Sequence, residues 1–379
     1  MDLIHIYDTV TGRRLGSLPA SSWKWRRQIS GPGSLSVEIT YSDEVRGRDL
    51  RTELAPWRTT LAVVDQVTHR VVAAGIVYQR RWDEDAYKLE VSCADVWSIF
   101  KLRLVIPHVL DSYEHGMIVG EDGAYPSPWT LTYTGSLGDI ARDLVASTLQ
   151  LGPLPIVLPP IEGGSAQRTW QVPDFATIAS RLEDLTRVIS GPEIIFQPRL
   201  VDGTTSLTWH MLIGDPELHV ETHTWDLRRR AAPLIKINVD EDASDMISDS
   251  WARGGSHEDA TLIAHHHDRW LEEAGWPLLQ GADTSHSTVS EIKTLSDYAR
   301  SATIMRSRST EVVSVQVRRL DEAGYQLGDK VVPGDHISLR VDSPYLGSKV
   351  LRLKVLELTG DASEWITVSC REIIDEESP

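Results

Sequence analysis

An internal repeat constrains the fold of this chain more than any other feature. Residues 56–93 recur as residues 333–370, at a constant offset of 277 positions and without a gap. The offset aligns proline with proline, Val-Asp with Val-Asp, and finally Val-Ser-Cys with Val-Ser-Cys. Self-similarity at a long, fixed separation indicates one structural unit used twice. Chance similarity between generic alternating strands is the alternative, and the ungapped register favours duplication.

The repeated segments carry a strand pattern. Upstream of the first copy, Leu35, Val37 and Ile39 alternate with polar residues, and residues 313–317 repeat this alternation with a one-residue slip. A period of two is typical of a strand buried on one face. Short apolar runs follow, separated by turns such as the acidic run 83–85. Short strands with short connections predict an antiparallel barrel or sandwich near each end of the chain.

Between the two copies the apolar spacing becomes helical. One helix is predicted after the capping residue Ser136, and a second is predicted to begin near Pro173 and Asp174 with Phe175 on its apolar face. Two strands on either side of Asp202 and the following glycine predict a hairpin. These elements indicate α+β segments inserted between the β-domains.

The predicted fold class is therefore mainly β with α+β inserts, namely two related antiparallel β-barrels plus two inserted α+β domains. The predicted division is a first barrel at 1–108, an α+β insert domain at 109–212, a discontinuous second barrel at 213–255 and 308–379, and a helix-containing insert at 256–307.

The charge balance excludes some partners. The chain has 379 residues with 38 Lys and Arg against 55 Asp and Glu, which gives a net charge of −17. Binding nucleic acid through its phosphates, or an anionic membrane surface, requires clustered basic residues. An acidic chain could still line a duct through which DNA slides, because repulsion prevents sticking.

The cysteines and the N-terminus bear on the compartment. The two cysteines, Cys93 and Cys370, occupy equivalent repeat positions, so we expect buried strand residues of a protein made in a reducing compartment and no disulfide. The N-terminus lacks a basic head followed by a long apolar run, so no signal peptide is predicted. No stretch approaches the roughly 20 apolar residues of a membrane span, so no membrane insertion is expected.

Three local patterns carry a resemblance: residues 34–39 after a Gly/Pro turn, residues 95–103, and residues 332–339 with their Gly-Asp turn. They resemble, in turn, an early strand of the first barrel, the exit from that barrel and a turn of the last barrel in the hub proteins of tailed-phage baseplates and tail tips, a family that includes siphophage minor tail proteins. The order of barrel, α+β insert and interrupted second barrel agrees over essentially the whole chain. Each motif alone is weak, so the match is one of architecture.

The resemblance implies tail-tube-like barrels and a homotrimer. Two barrels in each of three subunits would place six quasi-equivalent barrels around one axis, joining a three-fold tip to a six-fold tail tube. It also implies other phage tail proteins as partners: the distal tail ring, the tail tube, the tape measure, and tip, spike or receptor-binding proteins. Genomic DNA would pass through without specific binding. The implied location is the tail tip of the virion, after assembly in the host cytoplasm.

The sequence patterns that could indicate a metal site, a catalytic site or a partner contact are weak. The run His265-His266-His267, with His257 nearby, is the most tempting motif, but alternate strand residues face opposite sides, so a metal site is disfavoured. The carboxylate pairs Asp83 with Asp85 and Glu183 with Asp184 lie close only in sequence, which does not create a glycosidase cleft. The basic cluster 228–230 could contact a partner but is more typical of a solvated strand end.

Tryptophans are unusually frequent, 13 against 3 Phe. Those in or beside the first barrel suit a core or a subunit interface better than stacking on sugars, and they are Trp23, Trp25, Trp57, Trp82 and Trp97. The sequence therefore predicts a structural protein and no enzyme, with no catalytic, cofactor-binding or metal residue and no cofactor. The alternatives are a tip-associated cell-wall hydrolase, a host-glycan-binding protein, or a hexameric distal tail ring protein, which would need only one such barrel.

Overall fold

The computed structural model describes residues 2–66, 68–120, 125–188, 190–201, 205–228, 234–257, 260–285, 289, 291–319 and 328–373. The chain forms two compact units. One comprises Met1–Ile237 with Val315–Pro379, and the other comprises Asn238–Ser314. Within the described ranges, no helix combines the length and the apolar character needed to cross a membrane.

The elements alternate between strand-rich and helix-containing stretches. The first stretch contains β1 (Asp2–Asp8), β2 (Arg14–Leu18), β3 (Ser22–Gln28), β4 (Ser34–Thr40), α1 (Leu50–Glu53), β5 (Thr59–Asp65), β6 (Val71–Asp83), β7 (Lys88–Ala94) and α2 (Trp97–Phe100). The second contains β8 (Thr130–Gly135), α3 (Leu137–Leu151), β9 (Ile156–Val157), β10 (Ala166–Gln171), α4 (Ile178–Thr186), β11 (Glu193–Leu200), β12 (Leu207–Gly214) and β13 (Thr222–Asp226). The third contains β14 (Leu234–Asp242), β15 (Asp249–His257), β16 (Ala260–His267), α5 (Trp270–Glu273), β17 (Gln280–Asp283), α6 (Ile292–Met305), β18 (Thr310–Arg318), β19 (His336–Ser343), β20 (Gly347–Asp361) and β21 (Trp365–Glu372).

The sequence repeat is a repeat of strands. Strands β19, β20 and β21 recur 277 positions after β5, β6 and β7, and their bounds agree to within one residue. The pairing agrees as well, since Thr60 faces Ile76 in the first copy and Ile337 faces Leu353 in the second. Strand β4 lies beside β7, and β18 correspondingly lies beside β21.

One detail of the repeat differs from the ungapped sequence match. In the first copy Val77 faces Cys93, whereas in the second copy Val355 faces Cys370, so the hairpin of β20 and β21 is displaced by one residue. Each hairpin contains a bulge, which leaves Tyr78 unpaired in the first copy and Leu356 unpaired in the second. The displacement holds on both sides of the bulge, and it is absorbed in the turn, which lies between Asp83 and Lys88 in the first copy and holds one more residue between Gly360 and Ile366 in the second.

The two copies belong to one sheet. In the described residues this sheet has thirteen strands. Eleven of them follow the path β14-β18-β21-β20-β3-β4-β7-β6-β5-β1-β2, β19 branches from β20, and β13 pairs with β19. The fold is thus mainly β, as predicted. Neither copy closes into a barrel through the strand pairs of the described residues, so the predicted barrel closure is not confirmed. The pairs are also not all antiparallel, because β13 runs parallel to β19.

The insert shares its core with the first copy. Helices α3 and α4 and the β11-β12 hairpin pack on one continuous apolar cluster with first-copy residues such as Tyr7, Trp97 and Phe100. Helix α3 begins after Ser136, whose hydroxyl accepts the N–H of Asp139, as the capping pattern predicted. The prediction for α4 was wrong at its start: the helix begins at Ile178 after the cap Thr177.

Phe175, which was predicted to lie on the apolar face of that helix, precedes it and is exposed. The predicted hairpin is present as β11 and β12, and its turn at Asp202 lies outside the described residues. The second unit has a small core of its own, in which Leu295 and Ala299 of α6 pack against Ala252 and Ala264.

Candidate functional site

The distal half of β20 joins the two copies edge to edge. Residues Glu357 to Asp361 pair antiparallel with β3, from Gln28 back to Lys24. The guanidinium Nε of Arg26 donates to the carboxylate of Glu357 across this join at 2.6 Å. A continuous ladder of this kind satisfies the backbone groups that an isolated strand edge would leave open.

Close packing fixes the join. Trp25 is 3% exposed and lies directly over Gly360, its partner in the ladder. A Cβ atom added to Gly360 would lie 2.7 Å from the Trp25 ring, closer than side chains approach. The close approach of the indole to the backbone therefore requires a glycine at this point of the join.

The equivalent half of β6 is uncovered. Over the described residues, the part of β6 beyond Val77 pairs with β7 alone. Tyr78 and Trp82 are 44% and 43% exposed on this half, whereas Val355 and Leu358 on β20 are fully buried. The same strand of the repeat is thus a covered join in one copy and an exposed edge in the other. This exposed edge is the candidate functional site.

Aromatic side chains surround the exposed edge. Trp82 contacts Tyr41 and Tyr87 edge to face, each with ring centroids 6.5 Å apart. Trp57 and Tyr78 form a second pair at the same separation. Exposed aromatic groups that already contact each other lose little side-chain entropy on binding, which is typical of protein interfaces.

Two of the segments that resemble the hub family, 95–103 and 332–339, each contain an aspartate whose carboxylate binds backbone N–H groups. Asp335 is fully buried, and its carboxylate accepts the N–H groups of Val332 and Glu221 and lies 2.9 Å from Nε2 of His223. The Asp95 carboxylate accepts the N–H groups of Gly33 and Trp97, and burial raises the pKa of Asp95 to about 7. These aspartates hold turns between strands, which is a structural role.

The histidine run lies on β16 in the second unit. His265 contacts Asp249 at 2.6 Å, His267 contacts Glu272 at 2.8 Å, and His266 faces the other way toward Thr303. The alternation predicted for a strand is therefore present. No cluster of three potential metal ligands occurs in the part of the chain that the structure describes.

The remaining candidates are local. Asp83 accepts the N–H groups of Asp85 and Ala86 and so closes the β6-β7 turn. On α4, Glu183 pairs with Arg187, and Asp184 pairs with Arg181, in contacts between helix neighbours.

The basic cluster at 228–230 is only partly described. Arg228 forms a bidentate pair with Asp226, and its two neighbours lie outside the described residues.

The first unit also contains a basic cleft that the sequence did not predict. A space of about 900 Å³ in the first unit lies between the first copy and β11, and its basic side chains come from distant segments: His5, Arg14, Arg27, Arg70, Arg199 and Lys330. Burial and the charge of Arg14 lower the pKa of His5 there. Since each residue is isolated in the sequence, no local pattern could have predicted that they converge.

Comparisons with known proteins identify the architecture. No protein-family model and no curated protein matches the chain. Among solved structures, the 43 kDa tail protein of prophage MuSo2 from Shewanella oneidensis matches with a TM-score of 0.57 and 11% identity, covering 98% of both chains. The tail protein from Neisseria meningitidis MC58 matches with a TM-score of 0.56 and 12% identity, covering 98% of this chain and 96% of that one. The fold is similar to that of these two phage tail proteins. The predicted resemblance to tailed-phage tail proteins is therefore confirmed at the level of the fold.

The tryptophans predicted for a core or an interface divide between these two environments. Trp25 and Trp97 are buried and Trp23 is half-buried, whereas Trp57 and Trp82 are exposed beside the free edge. The sequence did not indicate which strand edge would be covered, because that depends on a pairing between β3 and β20 more than three hundred residues apart.

Proposed function

We propose that this chain is the structural tail hub, or minor tail protein, of a tailed bacteriophage. Three copies form a ring with pseudo-six-fold symmetry that joins the tail tube and distal tail ring to the tail tip and lines the channel for DNA exit. The proposal assigns the work of the protein to shape and symmetry and not to a catalytic centre.

One observation carries this proposal. The chain contains two strand-for-strand copies of one sheet unit, joined edge to edge through β20 and β3. A unit repeated twice within a chain doubles the apparent symmetry of any ring that the chain forms, so three chains present six similar units. The two phage tail proteins that match nearly the whole chain support the same architecture.

The proposal includes the domain organisation and the partners. The tube-like barrels are 1–108 and 213–255 with 308–379, and the inserts are 109–212 and 256–307. We propose that each unit acquires its barrel form in the assembled ring, beside the distal tail ring, the tube, the tape measure, and tip or receptor-binding proteins. The net charge of −17 suits a channel from which DNA must leave without sticking.

Localisation in the particle tests the role. In electron micrographs of phage particles that contain the chain, antibodies against it are expected to label the tail tip, and particles that lack it are expected to have no tip complex. Label along the whole tube or on the head would contradict the hub role. Degradation of host cell wall by the purified chain would favour the hydrolase alternative instead.

A further inference from the structure

The internal join between the copies has a defined charge polarity. Strand β3 contributes basic side chains, with Lys24, Arg26 and Arg27 along it. The distal half of β20 contributes acidic ones, Glu357 and Asp361, and Arg26 is ion-paired with Glu357 across the ladder. Opposite charges on facing strands stabilise a pair, and like charges destabilise it.

The two strands that correspond to these partners have the opposite polarity. The distal half of β6, equivalent to that of β20, has Arg81 exposed on its free edge, whereas the guanidinium of Arg80 donates to the carbonyls of Leu50 and Arg51 within the chain. Strand β14 lies beside β18 as β3 lies beside β4, and β14 ends in the acidic run 240–242, whose residues are exposed.

Strand β14 is also free on its outer side, since it ends the path of strands in the described residues. The hydroxyl of Ser309 donates to Glu241, which places the end of β14 beside the start of β18. Strands β14 and β18 therefore run antiparallel, as β3 and β4 do.

We propose that β6 of one molecule pairs antiparallel with β14 of a second copy of this chain, in the same way that β20 pairs with β3 within one chain. In this orientation the start of the free β6 edge faces the end of β14, and the register that sets Arg81 opposite Asp240 brings a basic side chain to the acidic run. The inference rests on the proposed ring and names its subunit contact.

The contact joins two different edges of the chain. A contact between different edges is head-to-tail and propagates until the ring closes. The exposed aromatic pairs at Trp57 and Trp82 would become covered in this contact.

Cysteine cross-linking tests the contact directly. The variant carrying Arg81→Cys and Asp240→Cys in the full chain is expected to form intermolecular disulfides, with a ladder on a non-reducing gel that ends at three chains. The native cysteines are buried and do not compete. The matched control carries Leu15→Cys, on the exposed face of β2, with Asp240→Cys, and is expected to remain unlinked.

Charge exchange provides a second readout. Arg81→Glu alone and Asp240→Arg alone are each expected to weaken self-association roughly tenfold. The double variant restores complementarity in every head-to-tail contact and is expected to recover the wild-type mass in light scattering. Melting temperatures equal to that of the parent chain would show that the variants fold.

The possible outcomes separate this inference from the proposed function. A wild-type trimer without the 81–240 cross-link, or without rescue in the double variant, overturns the strand pairing and leaves the hub proposal standing. A wild-type chain that remains monomeric at all concentrations overturns the trimeric ring itself, and the strand contact with it.

Discussion

Trp57 and Gly334 lie 277 positions apart and occupy the same place in the two copies. Each has a positive φ, 63° for Trp57 and 97° for Gly334. The N–H of Trp57 donates to the carbonyl of Val77 at 2.7 Å, and the N–H of Gly334 donates to that of Val355 at 2.8 Å. The acceptor in the second copy lies one position beyond the equivalent of Val77, and the same left-handed turn at the same place in both copies supports descent from one unit.

The second of these turns should tolerate no side chain. Gly334→Ala is expected to lower the free energy of unfolding by about 2–3 kcal/mol, because the left-handed backbone is strained and the new Cβ would lie 2.9 Å from Leu218. Gly47→Ala is the matched control: its φ is 81° and nothing lies within 4 Å of an added Cβ, so about 1 kcal/mol is expected. Urea unfolding measures both, and equal losses would contradict the crowding at Leu218.

The join between the copies should fail when Gly360 gains a side chain. Gly360→Val is expected to cost about 2–4 kcal/mol, since it displaces the Trp25 ring or separates β20 from β3. Gly16→Val on β2 meets open space and is expected to change stability by less than about 1 kcal/mol. Trp25 is expected to become accessible to acrylamide quenching only in the Gly360 variant. A stable Gly360 variant with normal quenching would show that the join does not depend on this contact.

The raised pKa of Asp95 predicts that the stability of the fold depends on pH. Burial raises the pKa of Asp95 from 3.8 to about 7 in the folded chain, so the folded state holds this proton more tightly than the unfolded state. Protonated Asp95 therefore stabilises the folded state fully below pH 3.8, and this contribution to the free energy of unfolding is lost as the pH rises toward 7. The side chain retains some exposure, so we expect a loss on the order of 1–2 kcal/mol over this range. The difference in unfolding free energy between the parent and Asp95→Asn isolates the effect, and a difference independent of pH would contradict it.

The buried ammonium of Lys354 depends on its carboxylate partner. Lys354 is 1% exposed, and its Nζ lies 2.6 Å from Glu193 of the insert and 3.2 Å from Glu217. Glu193→Gln is expected to cost about 3 kcal/mol, since it leaves a buried charge with only the more distant partner. Lys354→Met is expected to cost less than about 1 kcal/mol, because Glu193 keeps the N–H of Leu218 and some solvent. Thermal melting of both variants checks the order, and the reverse order would contradict this account.

The sequence predicted features that depend on local pattern. The repeat, the strand β4 with Leu35, Val37 and Ile39 buried, and the buried cysteines follow from periodicity and are present in the structure. The start of α4 was predicted wrongly because Pro173 and Asp174 resemble a helix start but form a separate 3₁₀ turn.

Features that depend on distant pairing were not predicted. The merging of the copies through β3 and β20, the exposed half of β6 and the basic cleft each bring together residues from remote segments. Periodicity shows that a strand has a buried face but not which edge is paired. The candidate site is such an edge, so the sequence alone could indicate its tryptophans and not its position.

The most direct test of the central claim is the symmetry of the purified full-length chain in electron micrographs, with its mass measured by light scattering. The account predicts three copies of the 42.3 kDa chain around one axis, with six similar sheet units in the ring. A two-fold dimer, or a ring in which the copies containing β6 and β20 lie at unrelated radii, would contradict it.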